Sequence, residues 1–335
     1  MSIYCPCALF GCSGLRRPVA RRHAYNEAVT ADPHDGDADV WSEWLLHRRH
    51  ADDSDYGQIV AGVVAAFADR ILDAARLAPG MTLADIGTGE GLVAFRAISR
   101  TGPGLQVVAT DISAPLLRYA AGVAAQLGVQ GQLTFLECPA DDLSQLADGT
   151  VDVVTTRAVL AYVGDKAKAL REFHRILKPG GRISLVEPIL QDEAFYARAL
   201  RARLDAPEAD QDDRFLTLLH RWKAAQFPDS PEGCARSPLV NFSERDLVSH
   251  ARAAGFVDIH LELHIDVVTS PIRSWQVFLG SSPHPWAPSL ERILTEQFSA
   301  AEREYFESIV RPLVESGRNI TTDRAAYLQA NKPAG

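Results

Sequence analysis

Between Leu83 and Gly91 the chain reads Leu-Ala-Asp-Ile-Gly-Thr-Gly-Glu-Gly, and no other stretch limits its fold so narrowly. A short apolar strand ends in an acid, three glycines alternate, and Leu92-Val93-Ala94-Phe95 then starts a helical pattern. Glycine at alternate positions lets the backbone turn sharply and approach a ligand where a Cβ would collide. The helix behind it adds free N–H groups and the positive end of its dipole. A strand, a glycine loop and a helix in this order predict a nucleotide-type cradle.

The dinucleotide fingerprint G-x-G-x-x-G uses its third glycine for close helix–strand packing. Here the third glycine comes one residue early, and Leu92 stands where that fingerprint wants glycine. Asp85, just ahead of the glycines, would oppose a pyrophosphate with like charge and suits a cationic ligand. The pattern Asp-x-Gly-x-Gly-x-Gly resembles motif I of class I S-adenosylmethionine (SAM)-dependent methyltransferases, whose cofactor carries a sulfonium and an ammonium.

Around the loop the hydrophobic pattern switches between two periods. Trp41, Trp44, Leu45 and Leu46 recur at helical spacing over 40–50, which ends in His47-Arg48-Arg49-His50. A second helix is expected over 56–77, with Ile59, Val63, Phe67, Ile71 and Leu72 turned inward. Pro79-Gly80 stops it, and the sheet begins at Met81. Further strands are expected over 106–110, 132–136, 151–155 and 182–186, with helices over 114–127 and 166–177. Strands alternating with amphipathic helices imply a doubly wound, parallel α/β sheet that binds ligands at the carboxyl ends of its strands. A helical insertion over 189–242 interrupts the alternation, which resumes with a helix over 243–254 and a strand over 256–268. A second insertion over 270–321, with a helix over 300–316, precedes a last strand over 325–330. The expected division is a flexible leader over 1–39, a helical cap over 40–78, and a domain over 79–335 carrying both insertions.

Companions follow the glycine loop in order. Asp111 ends the second strand, Ala140-Asp141 follows the third, and Val151-Asp152-Val153-Val154 and Leu177-Lys178-Pro179-Gly180-Gly181 mark the fourth and fifth. An acid at Asp111 would also suit a dinucleotide fold, whereas Asp141 favours SAM. Between residues 81 and 188 the chain thus resembles the small-molecule branch of the class I SAM-dependent methyltransferases, which includes ubiquinone/menaquinone and arsenite methyltransferases. The resemblance implies a Rossmann-like, seven-stranded, mostly parallel sheet with a reversed last strand. It also implies SAM as cofactor, with Asp85 accepting from the methionine ammonium directly or through water. Gly87, Thr88, Gly89 and Gly91 would form the cradle, Asp111 would hold the ribose, and Ile112 would pack on adenine. Ala140-Asp141 would meet the adenine amine. Arsenite chemistry needs thiols, yet Cys138 and Cys234 are the only cysteines outside the first dozen residues and are far apart in sequence. Quinone enzymes of this kind are shorter and lack such insertions.

Both insertions leave the sheet at the edge where the cofactor would lie, which implies an enclosed pocket for a small acceptor. They could equally thicken the fold or build a homodimer. Methyl transfer is an in-line displacement, so positioning can supply much of the rate, and a base is needed only for a protonated nucleophile. Arg157 and Tyr162 after the fourth strand, Glu187 at the end of the fifth, and His220 and Trp222 in the first insertion are the acceptor-side candidates. Arg157, Glu187 and His220 are the catalytic candidates among them. Arg157 also suits an ion pair, Glu187 a capping role, and His220 and Trp222 plain packing. His47-Arg48-Arg49-His50 suits a carboxylate clamp or a helix dipole. His260, Glu262, His264 and Asp266 share one strand face, with Leu261, Leu263 and Ile265 filling the other, a half-solvated strand rather than a metal site.

A formal charge of −9 gives no basic footprint for nucleic acid. No apolar run reaches the ~20 residues that span a bilayer, and no signal peptide is evident. Cys5, Cys7 and Cys12 lack a fourth ligand at a zinc-like spacing, so no metal is expected. Reduced thiols point to the cytoplasm. The expected activity is SAM-dependent methylation of a small molecule, possible in secondary metabolism. The alternatives are a SAM-dependent reaction such as cyclisation, or a non-catalytic SAM-binding partner.

Overall fold

The structure, a computed structural model, describes residues 38–206 and 213–335. The expected leader and its cysteines fall outside these residues, except that Asp39 caps the first helix. The Asp39 side chain accepts from the backbone of Trp41 and Ser42. Helix α1 (Val40–Glu43) runs directly into a π-helical turn at Trp44–Arg48, and Ala51 and Asp52 then take positive φ to reverse the chain. Helix α2 (Ser54–Ala75) is capped by Asp53.

Strand β1 (Thr82–Ile86) leads through the glycine loop to α3 (Leu92–Thr101), and β2 (Gln106–Asp111) leads to α4 (Ala114–Gln126). Then come β3 (Leu133–Glu137), β4 (Val151–Arg157), α5 (Lys166–Ile176) and β5 (Leu177–Pro188). The first insertion holds α6 (Gln191–Leu204), α7 (Arg214–Gln226) and α8 (Pro231–Arg236), followed by α9 (Glu244–Ala253) and β6 (Val257–Thr269). The second holds α10 (Trp275–Gly280), α11 (Leu290–Gln297) and α12 (Ala300–Glu315), before β7 (Ile320–Asn331).

The seven strands lie in the order β3-β2-β1-β4-β5-β7-β6. All neighbouring pairs are parallel except those made by β7, which runs against both β5 and β6. The doubly wound, mostly parallel sheet with a reversed last strand is therefore the one expected. Strand order reverses between β1 and β4, which opens the crevice above their carboxyl ends. Strand β5 begins earlier than expected because Leu177 pairs with Val151 before a bulge, after which Arg182 pairs with Val153. Lys178 anchors the bulge on Asp152, whose carboxylate also accepts from the Thr82 N–H.

Apolar cores fill both faces. One contains α2, α3 and the helices α7, α10, α11 and α12, and the other contains α5 and α9. The inward face of α2 holds the expected Phe67, Ile71 and Leu72, with Val63 packed against the core, and differs only toward the start of the helix. Tyr56, Val60, Val64, Phe67 and Ile71 are buried, whereas Ile59 is exposed. Trp222 is fully buried between Phe278 and Phe306, so it serves this core and not an acceptor pocket. Leu263 and Ile265, on the apolar face of β6, are exposed at the edge of the sheet.

Candidate active site

At the switch point lies a cavity of about 280 Å³. Its floor is the glycine loop. Gly87 has φ +65°, and a Cβ there would stand 2.5 Å from Val159 Cγ2, so only glycine fits. The Gly89 N–H donates to Asp111 Oδ2 at 2.8 Å, and the Ser113 N–H donates to Oδ1 at 2.9 Å. Asp111 thereby ties the loop to the end of β2 while lining the cavity, and burial pushes its pKa up. Ile112 beside it is 48% exposed, an apolar side chain on the cavity wall with no core to cover it. Ala140 and Asp141 complete that wall, and the Asp141 carboxylate has no hydrogen-bond or ion-pair partner among the described residues.

Asp85, Thr88 and Gly91 form a layer beneath. Asp85 is buried and accepts from Thr88 Oγ1 at 2.7 Å and Thr155 Oγ1 at 2.9 Å. Burial pushes its pKa up to about 6 against the pull of those two hydroxyls. It holds the loop from below and does not line the cavity. Gly91 caps α3 over the Phe95 ring.

Arg157 ends β4 on the cavity wall, and Arg49 faces it from the turn after α1. Glu90 Oε1 sits between them, 3.8 Å from Arg49 and 3.7 Å from Arg157. Two guanidiniums share one carboxylate at distances longer than hydrogen bonds, so the cluster keeps a net positive charge facing the cavity. Burial lowers the Arg49 pKa, with Glu90 opposing. Of the basic quartet, only Arg49 turns inward. His47 pairs with Asp52 at 2.8 Å, and Arg48 donates to the Pro285 carbonyl at 2.7 Å.

The other catalytic candidates are placed differently. Glu187 is wholly buried. It accepts from Thr156 Oγ1 at 2.6 Å and from the N–H groups of Val159 and Ala161 at 2.9 and 3.3 Å. Burial raises its pKa to about 7. It shapes the loop after β4 and does not reach the cavity. His220 points to Asp229 at 2.9 Å, away from the cavity wall. Its sequence context carried no information about that partner.

The cavity's roof is apolar and aromatic. Trp41 and Tyr162 line it, and Trp286 packs behind them, the three rings meeting edge to face with centroids 5.2–5.6 Å apart. The Trp44 indole donates to the Ser282 carbonyl at 3.0 Å, and the Ser282 N–H returns a bond to the Arg48 carbonyl at 3.1 Å. The first helix and the second insertion are thus joined above the site. The sequence reading passes over Glu90 and Trp286. Glu90 was legible as an acid inside the glycine loop, whereas Trp286 is brought in from nearly two hundred residues away. Among the described residues, no group of three or more His, Cys, Asp or Glu could hold a metal, and no helix is long and apolar enough to cross a membrane.

A family model described as a methyltransferase domain matches residues 77–220. Nocamycin O-methyltransferase of Saccharothrix syringae is 32% identical over 248 residues, covering 72% of this chain and 76% of that protein. The ubiquinone/menaquinone biosynthesis C-methyltransferase UbiE of Idiomarina loihiensis is 34% identical over 116 residues, or 35% of this chain and 46% of that protein. The similarity therefore spans about half the length of that second relative. Among solved structures, the YcgJ protein of Bacillus subtilis aligns with a TM-score of 0.50 at 20% identity, over 80% of this chain and 98% of that one, a likeness of fold.

Proposed function

The chain belongs to the class I SAM-dependent methyltransferases, and from that premise we propose that its acceptor is a small molecule bearing an acidic oxygen. The observation that carries this is the Arg49–Glu90–Arg157 cluster, a net positive charge on the wall of a partly open, largely apolar cavity. An oxygen acceptor also accords with the O-methyltransferase of Saccharothrix syringae, to which the similarity extends well beyond the glycine loop.

The residues present fit the cofactor. The glycine floor admits a close ligand, Ile112 offers an uncovered apolar surface, and the Asp141 carboxylate is unpaired among the described residues. Asp111, Ile112, Ala140 and Asp141 would hold the nucleoside, and Gly87 and Gly89 the methionine part. Asp85, Thr88 and Gly91 would support them. SAM supplies a methyl group on a sulfonium. The protein's part is to orient the acceptor, exclude water and stabilise its oxyanion.

No histidine lines the cavity among the described residues, and Glu187 is committed to its own loop. The acceptor therefore arrives ionised or is ionised beside Arg157, whose charge lowers the pKa of an adjacent acidic hydroxyl. Trp41 and Tyr162, backed by Trp286, would shield the ionised oxygen from water. In this reading residues 40–78 and the insertions 189–242 and 270–321 form the acceptor side of the domain over 79–335. The enzyme would be cytoplasmic and act on neither nucleic acid nor membrane, as its negative charge suggests.

The test is incubation with methyl-labelled SAM and fractionated metabolite extract, followed by isolation of labelled product. Labelled small-molecule ethers or esters support the reading, and label confined to tRNA or protein overturns it. Arg157→Met separates two sources of anion. Weakened S-adenosylhomocysteine binding would assign the charge to the cofactor carboxylate, whereas intact binding with lost turnover would assign it to the acceptor.

A further inference from the structure

Strand β6 is the edge of the sheet, and among the described residues nothing pairs with its outer side. It is thirteen residues long, against a typical five or six, and it lacks most of the features that protect edges. It has no proline and no lysine, and its only irregularity is a bulge near its start, where Asp258 takes positive φ. Helix α9 packs on its first half and shelters Ile259 and Leu261. Beyond α9 the same face is bare: Leu263 is 37% exposed, Ile265 55% and Val267 63%. A run of apolar side chains beside an open row of backbone donors and acceptors is a template for another strand.

The sequence of β6 indicates which strand fits. Taken outward from Leu263, Glu262 is matched by His264, Leu261 by Ile265, His260 by Asp266, and Ile259 by Val267. The strand is complementary to itself when reversed about its midpoint. In an antiparallel pair centred on Leu263, residues 260–266 would pair in unbroken register, which the bulge between Val257 and His260 ends. One face would be apolar over that span, with Ile265 beside the sheltered Leu261 of the other copy. The other face would set each histidine against an acid. Moving the centre to His264 would instead set Glu262 against Asp266, two acids, so the register is specified.

Within one copy, Glu262 is already met by Arg70, His260 and His264, whereas the Asp266 carboxylate has no hydrogen bond or ion pair among the described residues. The second copy's His260 would supply it. We infer that β6 pairs with β6 of a second copy of this chain about a twofold axis through Leu263, joining two seven-stranded sheets into one.

The full chain is examined by sedimentation equilibrium at micromolar concentration, and each variant's fold is checked by S-adenosylhomocysteine binding, since β6 lies outside the cavity wall. The wild type is expected to be a dimer, and Leu263→Lys, which sets two cations against each other at the axis, a monomer with unchanged binding. Leu263→Cys is expected to form a covalent dimer under mild oxidation, because directly opposed Cα atoms lie within disulfide range. Ile265→Cys, displaced from its own copy by four residues along the strand, should not. A monomeric wild type, or a dimer that survives Leu263→Lys, overturns the inference. So does a wild-type monomer that dimerises only after residues 1–37 are removed, since that result assigns the edge to the chain's own N-terminal segment.

Discussion

Gly87→Ala isolates the constraint at the centre of the site. Two costs add. A residue with a Cβ at φ +65° enters the left-handed region, at roughly 1–2 kcal/mol. The new methyl would also stand 2.5 and 3.0 Å from the two methyls of Val159. Ordinary carbon contacts lie at about 3.5–4.0 Å, and overpacking of this kind costs typically ~1–3 kcal/mol. Val159 cannot easily retreat, because its N–H is held by Glu187. The expected loss is therefore about 2–5 kcal/mol in total. Urea unfolding of the wild type, Gly87→Ala, Val159→Ala and the double variant separates the terms. Val159→Ala removes both offending methyls, so the pair should be coupled by roughly 1–3 kcal/mol, and the backbone cost should remain in the double variant. Additivity within about 0.5 kcal/mol would show that the contact with Val159 is not the constraint. A single-variant loss below about 1 kcal/mol would refute both parts of the reasoning.

Three further outcomes test the neighbouring layers. Asp111→Ala leaves the Gly89 and Ser113 N–H groups without their acceptor and should cost about 2–4 kcal/mol of stability, whereas Asp141→Ala, which breaks no hydrogen bond or ion pair among the described residues, should stay within about 0.5 kcal/mol. Both should weaken S-adenosylhomocysteine binding by calorimetry, Asp141→Ala about tenfold. Glu187 has its pKa raised by burial from 4.5 to about 7, so its contribution to stability is full below pH 4.5 and is lost as pH rises through about 7. Unfolding followed from pH 4.5 to 8 should show a decline of roughly 3 kcal/mol from this group, and Glu187→Gln should flatten it; a decline of equal size in the variant would assign the effect elsewhere. Trp286→Ala removes three ring contacts, with Trp41, Tyr162 and His284, so hydrogen exchange at residues 281–287 should speed up by one to two orders of magnitude, roughly 1–3 kcal/mol, and unchanged protection would show that the rings do not hold the segment above the cavity.

The site was legible in the sequence where function depends on backbone. The glycines, Asp111, Ile112 and the Ala140-Asp141 pair follow strands in chain order, and parallel strands bring their carboxyl ends together whatever the connections contain. The same logic identified the reversed seventh strand. It failed for Glu187 and His220, because a strand-end acid and an insertion histidine look alike in sequence whether they face a cavity, their own loop or an aspartate.

Local sequence determined the cradle and the family, since a tight turn beneath a ligand is a property of a few adjacent residues. Only the tertiary structure decided which of four basic residues lines the cavity, and that Trp286 packs behind the Trp41 and Tyr162 rings on its wall. It also decided that Leu263, Ile265 and Val267 lie bare at an edge. Those outcomes depend on which helices cover which face, a balance of burial among segments far apart in the chain that no short window of residues contains.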